Sequence, residues 1–132
     1  KEELIRKIRK IASYRNRIVL YNLDAVHLIK NIISRLPRNS LIYLDPPYYN
    51  KGKQLYINYY VDKNHEDVAR SIMGIKMQRW IITYDEADLI KKLYNKKRIV
   101  EYSLNYSAGK VKKGKELMIY SDNMRVPFTG LI

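Results

Sequence analysis

The sequence contains no cysteine. That excludes a disulfide framework and a thiolate metal site. With only two histidines, His27 and His65, a zinc centre is not expected either. Glycine is scarce: Gly52, Gly74, Gly109, Gly114 and Gly130 are the five, and no two of them form a Gly-x-Gly, so no dinucleotide-type phosphate cradle is encoded. No apolar run approaches the ~20 residues that a membrane-spanning helix requires, so no membrane partner is expected. The first ten residues are charged and amphipathic, unlike a secretory leader. Together with the missing cysteine this reads as a cytoplasmic protein. Acidic residues are also few, with 13 Asp+Glu against 26 Lys+Arg.

What is present is positive charge and tyrosine. The net charge is +13, an excess that fits a polyanionic partner, most often nucleic acid. A bland reading is AT-rich coding, which accumulates Lys, Ile, Asn and Tyr without a role. Thirteen tyrosines against one phenylalanine favour the first reading, because tyrosines among lysines suit base stacking and phosphate contact. The length of 132 residues suits one domain with a real core.

Along the chain, residues 1–17 carry Leu4, Ile5, Ile8, Ile11 and Ala12 at helical spacing opposite Arg6, Lys7, Arg9, Lys10 and Arg15. This predicts an amphipathic basic helix. Residues 18–21 read as a short strand and 25–35 as a helix. Residues 41–44, Leu-Ile-Tyr-Leu, are a continuous apolar run bounded by turn signals, hence a buried parallel strand stopped by prolines. Residues 49–64 read as loop, 65–76 as a helix begun by His65, 79–84 as a buried strand, and 86–94 as a helix. Residues 98–106 and 116–121 are strand-like around a cationic hairpin tip, 109–115. The fold class is α/β, with a mainly parallel sheet and an antiparallel end. In such sheets ligands bind at the carboxyl ends of the strands. Asp24, Asp45 and Asp85 each follow a predicted strand and are expected on one rim, with Asp24 and Asp85 also reading as helix caps.

Asp45-Pro46-Pro47-Tyr48 directly follows the 41–44 strand. A carboxylate there accepts two or more hydrogen bonds. Two successive prolines leave carbonyls without local amide donors, in a stiff turn. An acceptor pair beside an aromatic face suits a planar exocyclic amine: the carboxylate takes one N–H, a proline carbonyl takes the other, and Tyr48 stacks on the ring. The bland alternative is a rigid strand-ending turn.

The chain resembles the Dam-like DNA adenine N6-methyltransferases that use S-adenosylmethionine. The resemblance rests on LDPPY at 44–48, KGKQLYINYY at 51–60, NHED at 64–67, WIITYDEADLIKKLY at 80–94 and YSLNYSAGKVKKGKELMIYSDN at 102–123. It implies a Rossmann-like methyltransferase sheet. Asp45, Pro46, Pro47 and Tyr48 would form the catalytic receptor for an adenine swung out of double-stranded DNA. Asp24 would contact the adenine moiety of the cofactor, with Asp45 at its reactive end. Lys51, Lys53, Tyr56, Asn58 and Tyr59 would lie in a loop beside the target base. Lys110, Lys112, Lys113 and Lys115 of the hairpin are further nucleic-acid candidates.

The family also has a Gly-rich cofactor loop and a target-recognition region that this sequence does not show. The expectation is therefore a carboxy-terminal part of a methyltransferase domain, binding S-adenosylmethionine poorly and turning over little alone, in a restriction-modification or other role. Two further strands of the family's sheet would lie between the 18–21 and 41–44 strands, so open sheet edges, and a dimer or swapped assembly through them, are expected. Alternatives are a target on RNA adenine or on the N4 of DNA cytosine, or a non-catalytic nucleic-acid-binding remnant.

Overall fold

The computed structural model describes residues 1–50, 52, 57–106 and 112–125, with side chains except at 104–106 and 112–113. The elements follow the order α1 (Glu2–Ala12), α2 (Ala25–Asn31), β1 (Leu41–Leu44), α3 (Asp62–Met73), β2 (Arg79–Asp85), α4 (Asp88–Leu93), β3 (Arg98–Tyr106) and β4 (Lys112–Tyr120).

Local chemistry explains the helix boundaries. Helix α1 has Glu2 and Glu3 in its first turn and Arg9 and Lys10 in its last, which matches the helix dipole. It stops at Ala12, short of the expected 17, and a 3₁₀ turn at Arg15–Arg17 follows. The Asp24 side chain accepts from the His27 amide at 3.0 Å and starts α2. The 25–35 helix is likewise divided, into α2 and a 3₁₀ turn at Ile33–Arg35. Helix α3 begins at Asp62 rather than at His65, because the Asn64 side chain reaches back to the Val61 amide at 2.9 Å. His65 is therefore an interior residue of α3, and it is fully buried.

The sheet has four strands in the order β1-β2-β4-β3. Strands β1 and β2 are parallel, with Leu41 opposite Arg79 and Leu44 opposite Ile82. Strand β4 is antiparallel to both β2 and β3 and lies between them. The α/β class and the antiparallel end are as expected, but the sheet is not mainly parallel: of its three pairings only β1–β2 is parallel, because the hairpin strand β4 inserts between β2 and β3; a Rossmann-like order is consistent with this sheet. Strand β4 starts at Lys112, so Lys112, Lys113, Gly114 and Lys115 are paired strand residues rather than hairpin tip, continuing the ladder from Tyr106 to Arg98.

Two strand expectations fail. Residues 18–21 form no strand, and Ile18, Val19, Leu20 and Tyr21 are exposed by 48–91%. Strand β1 is not buried on both sides: Ile42 is 5% exposed, but Leu41 and Tyr43 are 60% and 59% exposed. The cause is one-sided packing. Ile42, Trp80, Ile82, Tyr84, Leu117 and Ile119 share one sheet face, and their core partners Ile29, Val68, Ala69, Ile72 and Ile90 come from α2, α3 and α4. Among the described residues nothing from a helix joins the core on the other face, and α1 has no buried residue.

Candidate active site

The loop after β1 meets the carboxyl end of β2 and the middle of β4. Alternation along a strand puts Thr83 and Asp85 on the face opposite Ile82 and Tyr84, and both are buried. Cross-strand register sets Glu116 of β4 beside Asp85 on that same face. Three residues that the tetrapeptide reading does not include thus lie directly against it.

Thr83 Oγ1 donates to Asp45 Oδ1 at 3.0 Å. The Tyr43 hydroxyl lies 3.0 Å from Thr83 Oγ1. With the threonine proton on the carboxylate, the stronger acceptor, Tyr43 donates to Thr83 and the two hydroxyls form a relay into Asp45. The Asp45 residue is otherwise exposed. Among the described residues no hydrogen bond reaches the Pro46 or Pro47 carbonyl. The tetrapeptide therefore offers a held carboxylate and, among the described residues, proline carbonyls that accept no hydrogen bond.

Tyr48 is half-buried, and its hydroxyl donates to Glu116 Oε1 at 3.3 Å. Tyr102 donates to the other oxygen, Oε2, at 2.7 Å. Burial, and then the bond to Glu116, push the Tyr102 phenol well above its ordinary pKa, which keeps it a donor. Glu116 itself is 6% exposed. It ties the candidate stacking ring to β3 and β4.

Asp85 does not cap α4, whose N-terminal flank at Ala87 makes no side-chain cap. Its carboxylate instead accepts two consecutive amides, Tyr49 N at 2.6 Å and Asn50 N at 2.8 Å. Asn50 Nδ2 adds a bond to the Glu86 carbonyl at 2.8 Å. Backbone amides of a chain that turns past a strand end need partners, and a carboxylate two residues from Thr83 supplies them. Asp85 was expected on the rim with Asp45, and its carboxylate meets the loop that leaves the tetrapeptide; signals for Thr83 and Glu116 were thin, because each sits in a strand whose pairing is not visible in one dimension.

Tyr49 and Tyr60 both pack edge-on against His65, with centroids 5.3 Å away, and Tyr84 does so at 5.6 Å. His65 Nδ1 lies 3.4 Å from the Tyr84 hydroxyl. Its Nε2 is buried without a hydrogen-bond partner. Burial lowers its pKa, against the opposing pull of the Asp62 and Asp85 carboxylates.

Asp24 caps α2. It borders a cleft of about 250 Å³ with Val26, Tyr60, Asn64, Asp67 and Val68. Small-molecule sites run from about 300 Å³ upward, so this open cleft is at the small end for a ligand site. Asn58 and Tyr59 are exposed. Lys51, Lys53, Tyr56 and Lys110 lie outside the described residues, as do the side chains of Lys112 and Lys113. Lys115 is exposed, 4.0 Å from Glu86. Among the described residues no three His, Asp or Glu side chains form a metal-binding group, and no helix is long and apolar enough to cross a membrane.

The sequence model of the D12 class N6 adenine-specific DNA methyltransferase family matches residues 1–108. No curated protein matches the chain.

Proposed function

The chain belongs to the D12 class N6 adenine-specific DNA methyltransferase family, and from that premise we propose that Asp45, Pro46, Pro47 and Tyr48 receive the adenine base whose N6 is methylated. The observation that carries this reading is the Asp45 carboxylate fixed by Thr83 beside two open proline carbonyls and the half-buried Tyr48. S-adenosylmethionine supplies an electrophilic methyl group bonded to a sulfonium.

On this reading the chain's own residues do four things. Asp45 accepts one N6–H and the Pro46 carbonyl accepts the other, which turns the nitrogen lone pair outward and raises its electron density. Tyr48 stacks on the extruded purine, a contact of about 1–3 kcal/mol. The stiff double-proline turn holds these groups in near-attack geometry, which can contribute up to ~7–11 kcal/mol. When N6 gains its methyl it sheds one proton, and the exposed Asp45 passes it to water.

Asp24 would hold the adenine end of the cofactor, in the cleft it shares with Tyr60 and Asn64. Asn58, Tyr59 and Lys115 would contact the DNA, with Lys51, Lys53, Tyr56, Lys110, Lys112 and Lys113 as proposed companions. The net charge of +13 supports a second reading, a remnant that binds DNA without methylating it.

Transfer of a tritiated methyl group from S-adenosylmethionine to unmethylated duplex DNA separates the two. Slow incorporation at adenine N6 is expected of this chain alone, and its loss by at least a hundredfold in Asp45→Ala. Undiminished transfer by that variant would remove Asp45 from the mechanism. Duplex binding without any transfer by the unaltered chain would favour the remnant.

A further inference from the structure

We infer that Thr83 and Asp85 are positioning residues that grip the Asp45–Tyr48 turn from both sides, so that the spacing between amine receptor and stacking ring is set by β2. The inference rests on the methyltransferase reading above and extends it to two residues of a neighbouring strand.

Thr83 and Asp85 are two residues apart, on one face, and about 6.6 Å separates such positions along a strand. Both side chains are buried, at 4% and 8% exposure. Each meets a different end of the turn. Thr83 donates to the side chain of Asp45, the first residue. Asp85 accepts the amides of Tyr49 and Asn50, the first two residues after Tyr48. Between these two anchors the chain holds two prolines, whose fixed φ leaves little freedom to absorb a displacement. A turn stiff inside and tied at both ends to one strand cannot shift its carboxylate without shifting its aromatic ring. Strand β2 is itself an interior strand, held on both sides by β1 and β4.

The two contacts differ in what they fix. The threonine hydroxyl takes one lone pair of Oδ1 and thereby sets the plane in which the carboxylate faces an incoming amine. The Tyr43 hydroxyl behind it, 3.0 Å from Thr83 Oγ1, fixes the threonine rotamer. The Asp85 carboxylate takes two successive N–H groups, a two-point attachment that sets backbone direction as well as distance. Tyr48 leaves the turn along that direction, and Glu116 then receives its hydroxyl.

Amide hydrogen exchange on the free chain tests the Asp85 arm. In Asp85→Ala the Tyr49 and Asn50 amides should exchange at least tenfold faster, while the β2–β4 ladder keeps its protection; Asp85→Asn, which retains one acceptor oxygen, should fall between. Unchanged exchange at those two amides, or equal acceleration throughout the sheet, would overturn the grip. Methyl transfer to duplex DNA tests the Thr83 arm. Thr83→Val should lower kcat about tenfold with KM within twofold, the pattern of an interaction made in the transition state, and Thr83→Ser should restore it. A raised KM with unchanged kcat, or no rescue by serine, would overturn the positioning role. If the unaltered chain transfers no methyl group at all, the functional reading fails for this chain, and the amide exchange still decides the grip.

Discussion

A carboxylate shortly before a helix in an α/β chain has two ordinary fates, capping that helix or facing a ligand. Asp24 takes the first, with the His27 amide at 3.0 Å. Asp85 takes neither and binds two amides of another loop. The same residue type at equivalent positions thus does different work, and the difference lies in what the fold brings alongside. His65 shows the same dependence. It is a polar residue enclosed by three tyrosine rings, with one ring nitrogen unpartnered. Its folded-state pKa is lowered, so the unfolded chain binds its proton more readily than the folded one. Stability is then fully present above about pH 6.5, the unfolded value, and declines as pH falls below it toward the folded value. Urea titrations between pH 7 and pH 5 should show that decline, and His65→Leu should flatten it; an unaltered slope in the variant would place the effect elsewhere. In the core proper, Ile119 is fully buried whereas Ile57 is 99% exposed. Ile119→Ala should cost about 2–5 kcal/mol of unfolding free energy, and Ile57→Ala within about 0.5 kcal/mol of zero.

At the scale of elements, amphipathicity and packing come apart. Helix α1 has the clearest apolar stripe in the sequence, yet Leu4, Ile5, Ile8 and Ile11 are 43–63% exposed. Most helical stability in proteins comes from burying such a face, and an isolated helix of 11 residues is marginal in water. Helix α3 has the opposite standing: His65, Val68, Ala69 and Ile72 are all buried against the sheet. Amide exchange should therefore rank the two, with α1 exchanging within about tenfold of an unstructured chain and the middle of α3 protected to nearly the global limit. Strong protection of α1 would mean that its stripe is covered in solution.

At the scale of the molecule, the sheet is covered on one face, and among the described residues it is open along both edges, β1 and β3. Strand β1 pairs with β2 on one side, and among the described residues no strand pairs with its other side. Its side chains on the uncovered face, Leu41 and Tyr43, are both more than half exposed. An apolar strand with unpaired backbone groups is a template for another strand. Sedimentation of the chain should show concentration-dependent self-association, reduced by Leu41→Lys, which puts a charge on the edge. A monomer at all concentrations would indicate that the edge is protected, and Tyr43, bound to Thr83, would be the residue to examine for that protection.

Much was legible in one dimension, and for identifiable reasons. The apolar runs at 41–44 and 79–84, and the prolines after the first, depend on steric rules that act within a few residues. They located β1, β2 and the Asp45–Tyr48 turn, and the chemistry of a carboxylate beside two donor-free carbonyls needed only the identity of four neighbours. The 18–21 segment failed because a strand exists through its partners, and β-propensity supplies none. The uncovered face of β1 was invisible because a continuous apolar run reads the same whether one side or both are packed. Which helices reach which face is a tertiary fact. So is the joining of Asp45, Thr83, Asp85 and Glu116, spread over 72 residues of sequence and brought together by a parallel pairing of β1 with β2 and an antiparallel pairing of β2 with β4. Sequence determined which groups could bind an amine; hydrogen-bonded strand register decided what holds them in place, because register relates residues that no local interaction connects.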